Sequence, residues 1–191
     1  MTTPPPPPAS AVDDAIRRRR TSLLVAPDRA VDRAVVAELI ELATWAPNHK
    51  RTWPWRFTVL AGEARLRFGA ALAEAAEAGG APPEKVAKLP TKYARSPIVV
   101  MAWVAVDDDP VRAREDRDAV AAAVQTLLLG ATARDLASYW ASIPDLLVPA
   151  ARAVAGVDDR HDLVGLVYLG HPTGIVATPP RPPAPTTWLD A

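Results

Sequence analysis

The hydrophobic positions divide the chain into helices with one apolar face and strands that are apolar throughout. Apolar residues recur at helical spacing from Val31 to Trp45, and Asp28 or Asp32 stands where a cap for this helix is needed. The run Ile98–Val106 is apolar without alternation, which predicts a strand buried on both faces in the middle of a sheet. A second continuous run, Leu163–Leu169, predicts another strand of the same kind.

Further helices and shorter strands complete the pattern, separated by glycine and proline. The predicted helices cover about 13–22, 63–78, 82–89, 110–135 and 144–155, with a strand at 55–60 and a strand or loop at 138–142. Strands separated by helices, without an Asn-Gly hairpin turn between them, predict an α+β or α/β sheet covered by helices.

Composition limits the class of protein. The chain has 191 residues, of which 49% are hydrophobic, and this suits one domain with a substantial core. A formal net charge of zero gives no global attraction to nucleic acid or anionic lipid, so we expect neither as a partner. Without cysteine there is no thiolate nucleophile or disulfide, and a reducing cytosol fits.

The two ends of the chain are rich in proline and frame the predicted domain. We expect a disordered arm at 1–12, a single domain at 13–175, and an arm at 176–191 that packs on the protein's own surface or on a partner. Pro4–Pro8 lacks the apolar core of a secretory signal, and the longest apolar run is about half of what a bilayer requires. We therefore expect a cytoplasmic protein that binds no membrane.

A polar loop with two indoles separates the helix at 31–45 from the strand at 55–60. Pro47 ends the helix and Pro54 keeps Trp53 extended, so polar groups are held between two rigid elements, as in many binding loops. The alternative is a connecting loop whose two tryptophans, Trp53 and Trp55, belong to the core. The local pattern allows both interpretations.

The run Arg17–Arg20 followed by Thr21 and Ser22 offers guanidinium and hydroxyl donors suited to a phosphate. The alternatives are a solvated basic helix end or, less favoured because Asp13 and Asp14 offset the charge, nucleic-acid contact.

The sequence lacks the usual signatures of chemistry carried by side chains. The three histidines do not have the spacing of a metal site, and no nucleophile elbow, P-loop or standard dinucleotide motif is present. Phosphate donors and aromatic rings without catalytic side chains favour a protein that holds a cofactor.

Four motifs occur in an order that resembles a known family. They are Arg19–Thr21, Ala46–Lys50 with the following Pro-Trp, Tyr139–Ser142, and Val164–Pro172. Together, over about 15–181, they resemble the nitroreductase family of FMN-dependent NAD(P)H oxidoreductases, in particular its small, minimal-scaffold branch.

The resemblance implies an α+β homodimer with a central mixed sheet covered by helices and two FMN molecules at the subunit interface, each touched by both chains. It implies that Arg19, Arg20 and Thr21 hold the phosphate and ribityl end, and that Trp140, Ala141 and Ser142 lie beside the ring. Trp45 and His49 would approach the flavin bound mainly by the partner chain. The resemblance also implies that Arg181 lies near the position where many family members have a basic residue that binds the phosphate.

Two positions depart from the relatives, which have arginine where this chain has Trp45 and Ala141. Arg181 is the candidate to compensate for the missing cationic contacts. Arg51 stands where the wider family has an Asn directed toward the pyrimidine ring of the flavin. The implied reaction is ping-pong hydride transfer from NADH or NADPH to an electron-poor acceptor such as a nitroarene or quinone. Two alternatives remain: a flavin-binding protein of this fold with other or no reductase chemistry, and a non-enzymatic interaction protein.

Overall fold

A four-stranded antiparallel sheet with helices on both faces organises residues 10–189, the part of the chain that the computed structural model describes. The strands are β1 (Trp55–Ala61), β2 (Ile98–Ala105), β3 (Ala137–Ala141) and β4 (His161–Gly170), in the order β1-β2-β4-β3. The predicted α+β class is confirmed. The predicted mixed sheet is wrong for these residues, since all three ladders are antiparallel.

The long connection between β1 and β2 explains the antiparallel pairing. The helix α3 (Glu63–Ala78) leads away from the end of β1, and the short helices α4 (Pro83–Val86) and α5 (Leu89–Lys92) return the chain, so that Ile98 pairs with Ala61. Gly69 permits this return, because a Cβ at that position would lie 2.6 Å from the Leu89 carbonyl oxygen of α5. Helices therefore lead the chain away from β1 and bring it back to β2, whereas two parallel strands are joined by a single crossover connection.

Of the four remaining helices of the described range, the first three begin at side-chain caps and the last has none. The four are α1 (Ala11–Arg18), α2 (Arg33–Ala43), α6 (Pro110–Ala133) and α7 (Val148–Ala155), with short 3₁₀ turns at His49–Arg51, Tyr93–Arg95 and Asp145–Leu147. Asp32 caps α2 by accepting from Ala34 N at 2.9 Å, and Asp109 caps α6 by accepting from Val111 N at 2.9 Å. None of the helices within residues 10–189 is long and apolar enough to cross a membrane.

Several element boundaries differ from the prediction. Helix α1 begins at Ala11, inside the predicted arm, because Ser10 and Asp13 form a capping box, and it ends at Arg18 rather than near Ser22. The helix predicted from Pro82 is divided into α4 and α5. The predicted helix at 144–155 is a 3₁₀ turn followed by α7. Residues 1–9, the rest of the predicted N-terminal arm, lie outside the described part of the chain.

The central strand β2 separates two hydrophobic layers, as predicted. Val100, Ala102 and Val104 pack with α2 and α6 on one face, whereas the alternate residues of β2 pack with α3 and α7 on the other. Helix α6 coincides with the helix predicted at about 110–135, and Leu127 on it is fully buried. This rigid core fixes the positions of both ends of α6.

The segment that follows β4 pairs with residues 24–26 and then leaves the sheet. Ala26 N donates to His171 O at 3.0 Å and Thr173 N donates to Leu24 O at 2.9 Å. From residue 176 to 189 the chain has no regular secondary structure. Asp190 and Ala191, the end of the predicted C-terminal arm, lie outside the described residues.

Candidate functional site

The segment after α1 runs beside the edge strand β3. Thr21 forms a parallel bridge with Ser138, and Ser22 N donates to Ser138 O at 2.9 Å. This pairing brings two of the predicted binding segments, 19–21 and 140–142, to the same edge of the sheet. We call residues 19–22 together with 138–142 the arginine junction.

Arg20 is fixed in the arginine junction by three hydrogen bonds. Its Nη1 donates to the carbonyl oxygens of Arg17 at 2.6 Å and Arg19 at 2.7 Å, and its Nη2 donates to the hydroxyl of Thr178. Its Nε is buried and has no partner among the described residues. A cationic donor is therefore held in place with one N–H available. Arg19 is half-buried and Thr21 is exposed.

A cavity of about 550 Å³ opens at the arginine junction. The end of α1, with Arg17, Arg18 and Arg20, forms one wall, and Pro172 to Thr178 form another. Its volume lies within the range of small-molecule sites. Arg18 donates hydrogen bonds to Asp14 and Asp135, which raise its pKa, and Arg17 pairs with Asp13 at 3.7 Å. Arg20 is therefore the cation of this wall that has no acidic partner among the described residues.

Ser138 adds a second unpartnered group to the arginine junction. Its side chain is 2% exposed, and its hydroxyl is buried without a hydrogen-bond partner among residues 10–189. An unpartnered buried hydroxyl costs about 1 to 3 kcal/mol, so a bound polar ligand that satisfied it would stabilise the fold. Arg20 Nε and Ser138 Oγ are two of the three such atoms described.

The indole of Trp140 lies against the sheet over Gly165. A Cβ on Gly165 would lie 2.8 Å from both Trp140 Cδ1 and Ala141 O, so only glycine leaves room for the ring. Trp140 remains 38% exposed, Ala141 is half-buried and Ser142 is exposed. The arginine junction therefore combines guanidinium groups with an accessible aromatic surface.

Trp45 and His49 lie elsewhere, in the loop between α2 and β1. Trp45 is 77% exposed and donates from Nε1 to Glu41 Oε1 at 2.6 Å. His49 is also exposed, and its Nδ1 lies 2.7 Å from Glu115 Oε2 on α6. No group of three or more metal-ligating side chains is present in the described range 10–189.

The loop at 45–55, which we call the tryptophan loop, holds a strained backbone. Lys50, Arg51 and Trp53 have positive φ values of 56°, 56° and 50°. The expectation that Trp53 is extended before Pro54 is therefore wrong. Each positive φ costs on the order of 1 kcal/mol for a residue with a side chain, and such strain clusters at functional sites. Trp53 is 60% exposed and meets Trp55 edge-on at 5.8 Å, so the interpretation of both tryptophans as core residues fails for Trp53.

Side-chain hydrogen bonds hold this strained conformation. Asn48 Oδ1 accepts from Trp53 N at 3.0 Å, and Asn48 Nδ2 donates to Thr52 Oγ1 at 2.8 Å. The Thr52 hydroxyl in turn donates to the carboxylate of Asp116, which is 4% exposed on α6. The tryptophan loop is thereby attached to the core through one buried carboxylate.

The arginine junction and the tryptophan loop lie at opposite ends of α6. The loop contacts Glu115 near the start of α6, whereas Arg18 contacts Asp135 just beyond its end. At about 1.5 Å per residue, the stretch from Glu115 to Ala133 is about 27 Å long. One copy of the chain therefore does not bring its predicted site residues together at one place.

Arg181, the last predicted site residue, lies in the C-terminal tail. It is exposed, three residues beyond the Thr178 that contacts Arg20, and it forms no salt bridge with an acidic residue of the described range. The contact between Thr178 and Arg20 directs the start of the tail along the arginine junction.

Three contributors to these regions were not predicted from the sequence. Asp116 lies four residues before Val120 on the apolar stripe of α6, and this spacing could have identified it as a buried carboxylate. Ser138 lies two residues before Trp140 and so shares its face of β3. The contact of Thr178 with Arg20 had no signal in the sequence.

Comparison with known proteins gives the same assignment as the motifs. A sequence model of the Nitroreductase family matches residues 16–171. The Escherichia coli (strain K12) protein named "Putative NAD(P)H nitroreductase YdjA" is 29% identical over 145 residues, which cover 75% of this chain and 79% of that protein.

Two solved structures share the fold. A nitroreductase-like family protein from Bacillus cereus superposes with a TM-score of 0.78 at 25% identity, over 96% of this chain and 94% of that one. The FMN and NADPH-dependent nitroreductase NfnB from Sphigopyxis sp. strain HMH superposes with a TM-score of 0.74 at 19% identity, over 90% and 95%. The family match extends over most of the chain, and the chain therefore belongs to the Nitroreductase family, a family of oxidoreductases.

Proposed function

We propose that the protein is an FMN-dependent oxidoreductase that transfers a hydride from NADH or NADPH to an electron-poor acceptor by a ping-pong mechanism. The observation that carries the proposal is the pair of unpartnered buried donors, Arg20 Nε and Ser138 Oγ, at the arginine junction. Both lie where the family resemblance places the cofactor, and a phosphate and its ribityl chain supply the acceptors that such donors lack.

The residues of the arginine junction suit the parts of FMN. Arg19, Arg20 and Thr21 would hold the phosphate and ribityl end, and Arg181 from the tail would add a further cation. Trp140 would offer its exposed indole to the ring system, with Ala141 and Ser142 beside it. Because β3 is an edge strand, it has backbone groups free of the sheet that can donate to the ring without a particular side chain. This suits a chain with Ala141 in place of an arginine.

We further propose that the site is completed by a second copy of the chain. Trp45 and His49 lie about a helix length from the arginine junction of their own chain, as described above, so they would serve the partner's site. Trp45, Trp53, Ile175 and Trp188 are exposed by 60% or more, with Ile175 at 97%. Large apolar side chains exposed to this degree suit a surface that another chain covers.

In this arrangement the chain's own residues bind and orient, while bound FMN supplies the capacity to accept and donate a hydride. A carboxylate only accepts hydrogen bonds, so the contact with Glu115 places a proton on His49 Nδ1. His49 Nε2 would then be available to a ligand. The indoles of Trp45 and Trp53 would limit access of water to that ligand. The acceptor would be a nitroarene or a quinone-like molecule.

Absorption spectroscopy of the pure protein tests the proposal. We expect a yellow protein that releases FMN on denaturation and is bleached anaerobically by NADH or NADPH. Adding a nitroarene or a quinone should then restore the colour. Protein that stays colourless after reconstitution with FMN would contradict the proposal, and bound flavin that neither nucleotide bleaches would favour a flavin-binding protein without reductase chemistry.

A further inference from the structure

A second cavity, of about 300 Å³, lies on the face of the sheet covered by α3 and α5. Its walls are mostly apolar: Ala76 and Ala81 at the end of α3, Leu89 on α5, and Leu147. It shares no lining residue with the cavity at the arginine junction. The volume is at the lower end of the range for ligand sites.

Four cationic side chains surround this cavity: Lys85, Lys88, Lys92 and Arg95. The chain has only four lysines against 18 arginines, and three of the four lysines are here. None of the four cations forms a salt bridge with a described acidic residue. Unpaired cations around an apolar cavity repel one another, and an anion between them would relieve that repulsion.

Tyr93 lines the same cavity and carries a buried polar group. Its side chain is 1% exposed, and its hydroxyl is buried without a partner among the described residues. It is the third of the three unpartnered buried atoms, the other two being at the arginine junction. Burial raises the pKa of Tyr93 to about 12, so the phenol is a neutral donor at physiological pH. Lys92 Nζ lies 5.7 Å from the centre of its ring.

We propose that this cavity binds a small carboxylic acid with an apolar body. The apolar walls would take the hydrocarbon part, while the lysines and the Tyr93 hydroxyl would bind the carboxylate. Lysine ammonium groups are compact charges on flexible stems that can pair with a carboxylate, and the apolar walls favour a ligand with a hydrocarbon body over inorganic phosphate. The site is independent of the flavin site, and the inference does not rest on the proposed function.

Lysine labelling read by mass spectrometry tests the site, with octanoate as the probe. An acylating reagent reacts with exposed lysines, and Lys50 in the tryptophan loop serves as an internal control. At ten times its dissociation constant, octanoate should slow the labelling of Lys88 and Lys92 roughly tenfold by occupancy alone. Labelling of Lys50 should not change. Octan-1-ol, which has the same chain length without the charge, should protect much less.

Variants then separate the two parts of the site. Lys88→Gln with Lys92→Gln should weaken octanoate binding about tenfold or more, and Tyr93→Phe, which keeps the buried ring, should weaken it severalfold. Lys50→Gln is the matched control and should bind octanoate normally. Absence of protection, equal protection of Lys50, equal protection by octan-1-ol, or equal protection by inorganic phosphate would each overturn the proposal. The flavin spectrum is a separate readout, because the two cavities have no residue in common.

Discussion

The arginine junction and the tryptophan loop are held in place by different means. The arginine junction is aligned by backbone pairing of residues 21 and 22 with Ser138, and its donors are guanidinium groups. The tryptophan loop has three residues with positive φ and depends on side-chain hydrogen bonds that end at Asp116. One region takes its geometry from the sheet, whereas the other takes it from side-chain contacts with α6. Mutations should therefore affect binding in the first region and stability in the second.

The largest effect is expected from Thr52→Val, which leaves the buried Asp116 carboxylate without its hydroxyl donor. We expect the free energy of unfolding to fall by about 3 kcal/mol, the cost of losing a hydrogen bond to a buried charge. Urea unfolding measures this change. Thr44→Val is the matched control, since the Thr44 hydroxyl donates only to the Glu41 carbonyl at 2.7 Å, and its cost should stay below about 1 kcal/mol. Equal losses in the two variants would show that Asp116 does not hold the loop.

The next effect is on cofactor affinity at the arginine junction. Arg20→Ala or Arg19→Ala should weaken FMN binding by about 1.5 to 3 kcal/mol, the contribution of a hydrogen bond to a charged group. Flavin fluorescence titration gives the dissociation constants. Arg67→Ala removes an exposed arginine from α3 and should leave FMN affinity unchanged. Unaltered affinity in both junction variants would mean that the phosphate binds elsewhere.

The smallest effect should follow from Gly165→Ala, which displaces the Trp140 indole from the sheet. Overpacking of this kind costs about 1 to 3 kcal/mol, and we expect the lower half of that range because the indole can rotate outward. Tryptophan fluorescence should report the more exposed ring. Gly174→Ala is the control, because a Cβ there meets only Leu24 Cδ1 at an ordinary 3.4 Å. An unchanged emission spectrum in Gly165→Ala would contradict the packing of Trp140 over Gly165.

Much of the core could be predicted from the sequence because buried apolar residues recur at the spacing of a helix or form continuous runs in a strand. The unbroken apolar run of β2 predicted a strand buried on both faces, and the pattern from 110 to 135 predicted the long helix α6. Asp32, one of the two aspartates proposed as a cap for the helix at 31–45, does cap α2. The strand directions could not be predicted, because the path of α3 to α5 depends on contacts such as that of Gly69 with α5.

The candidate sites were predictable only in part. Guanidinium and hydroxyl groups in one run identified the arginine junction, but its alignment with β3 depends on a long-range bridge between Thr21 and Ser138. The positive φ values of Lys50 and Arg51 have no signal in residue type, because neither is glycine or asparagine. The distance between the two regions depends on the length of α6, which was predicted from the sequence. It also depends on the contacts at the two ends of α6, which were not predicted.

Mixed dimers test most directly whether a complete site needs both regions from different chains. One chain carries Arg19→Ala with Arg20→Ala, the other carries Trp45→Ala with His49→Ala, and two affinity tags isolate the mixed pair. If each site takes its arginine junction from one chain and its tryptophan loop from the other, one site of the mixed dimer has no substitution. We expect flavin and activity in that one site, although both parent variants lack them. A mixed pair as empty as its parents would contradict the account.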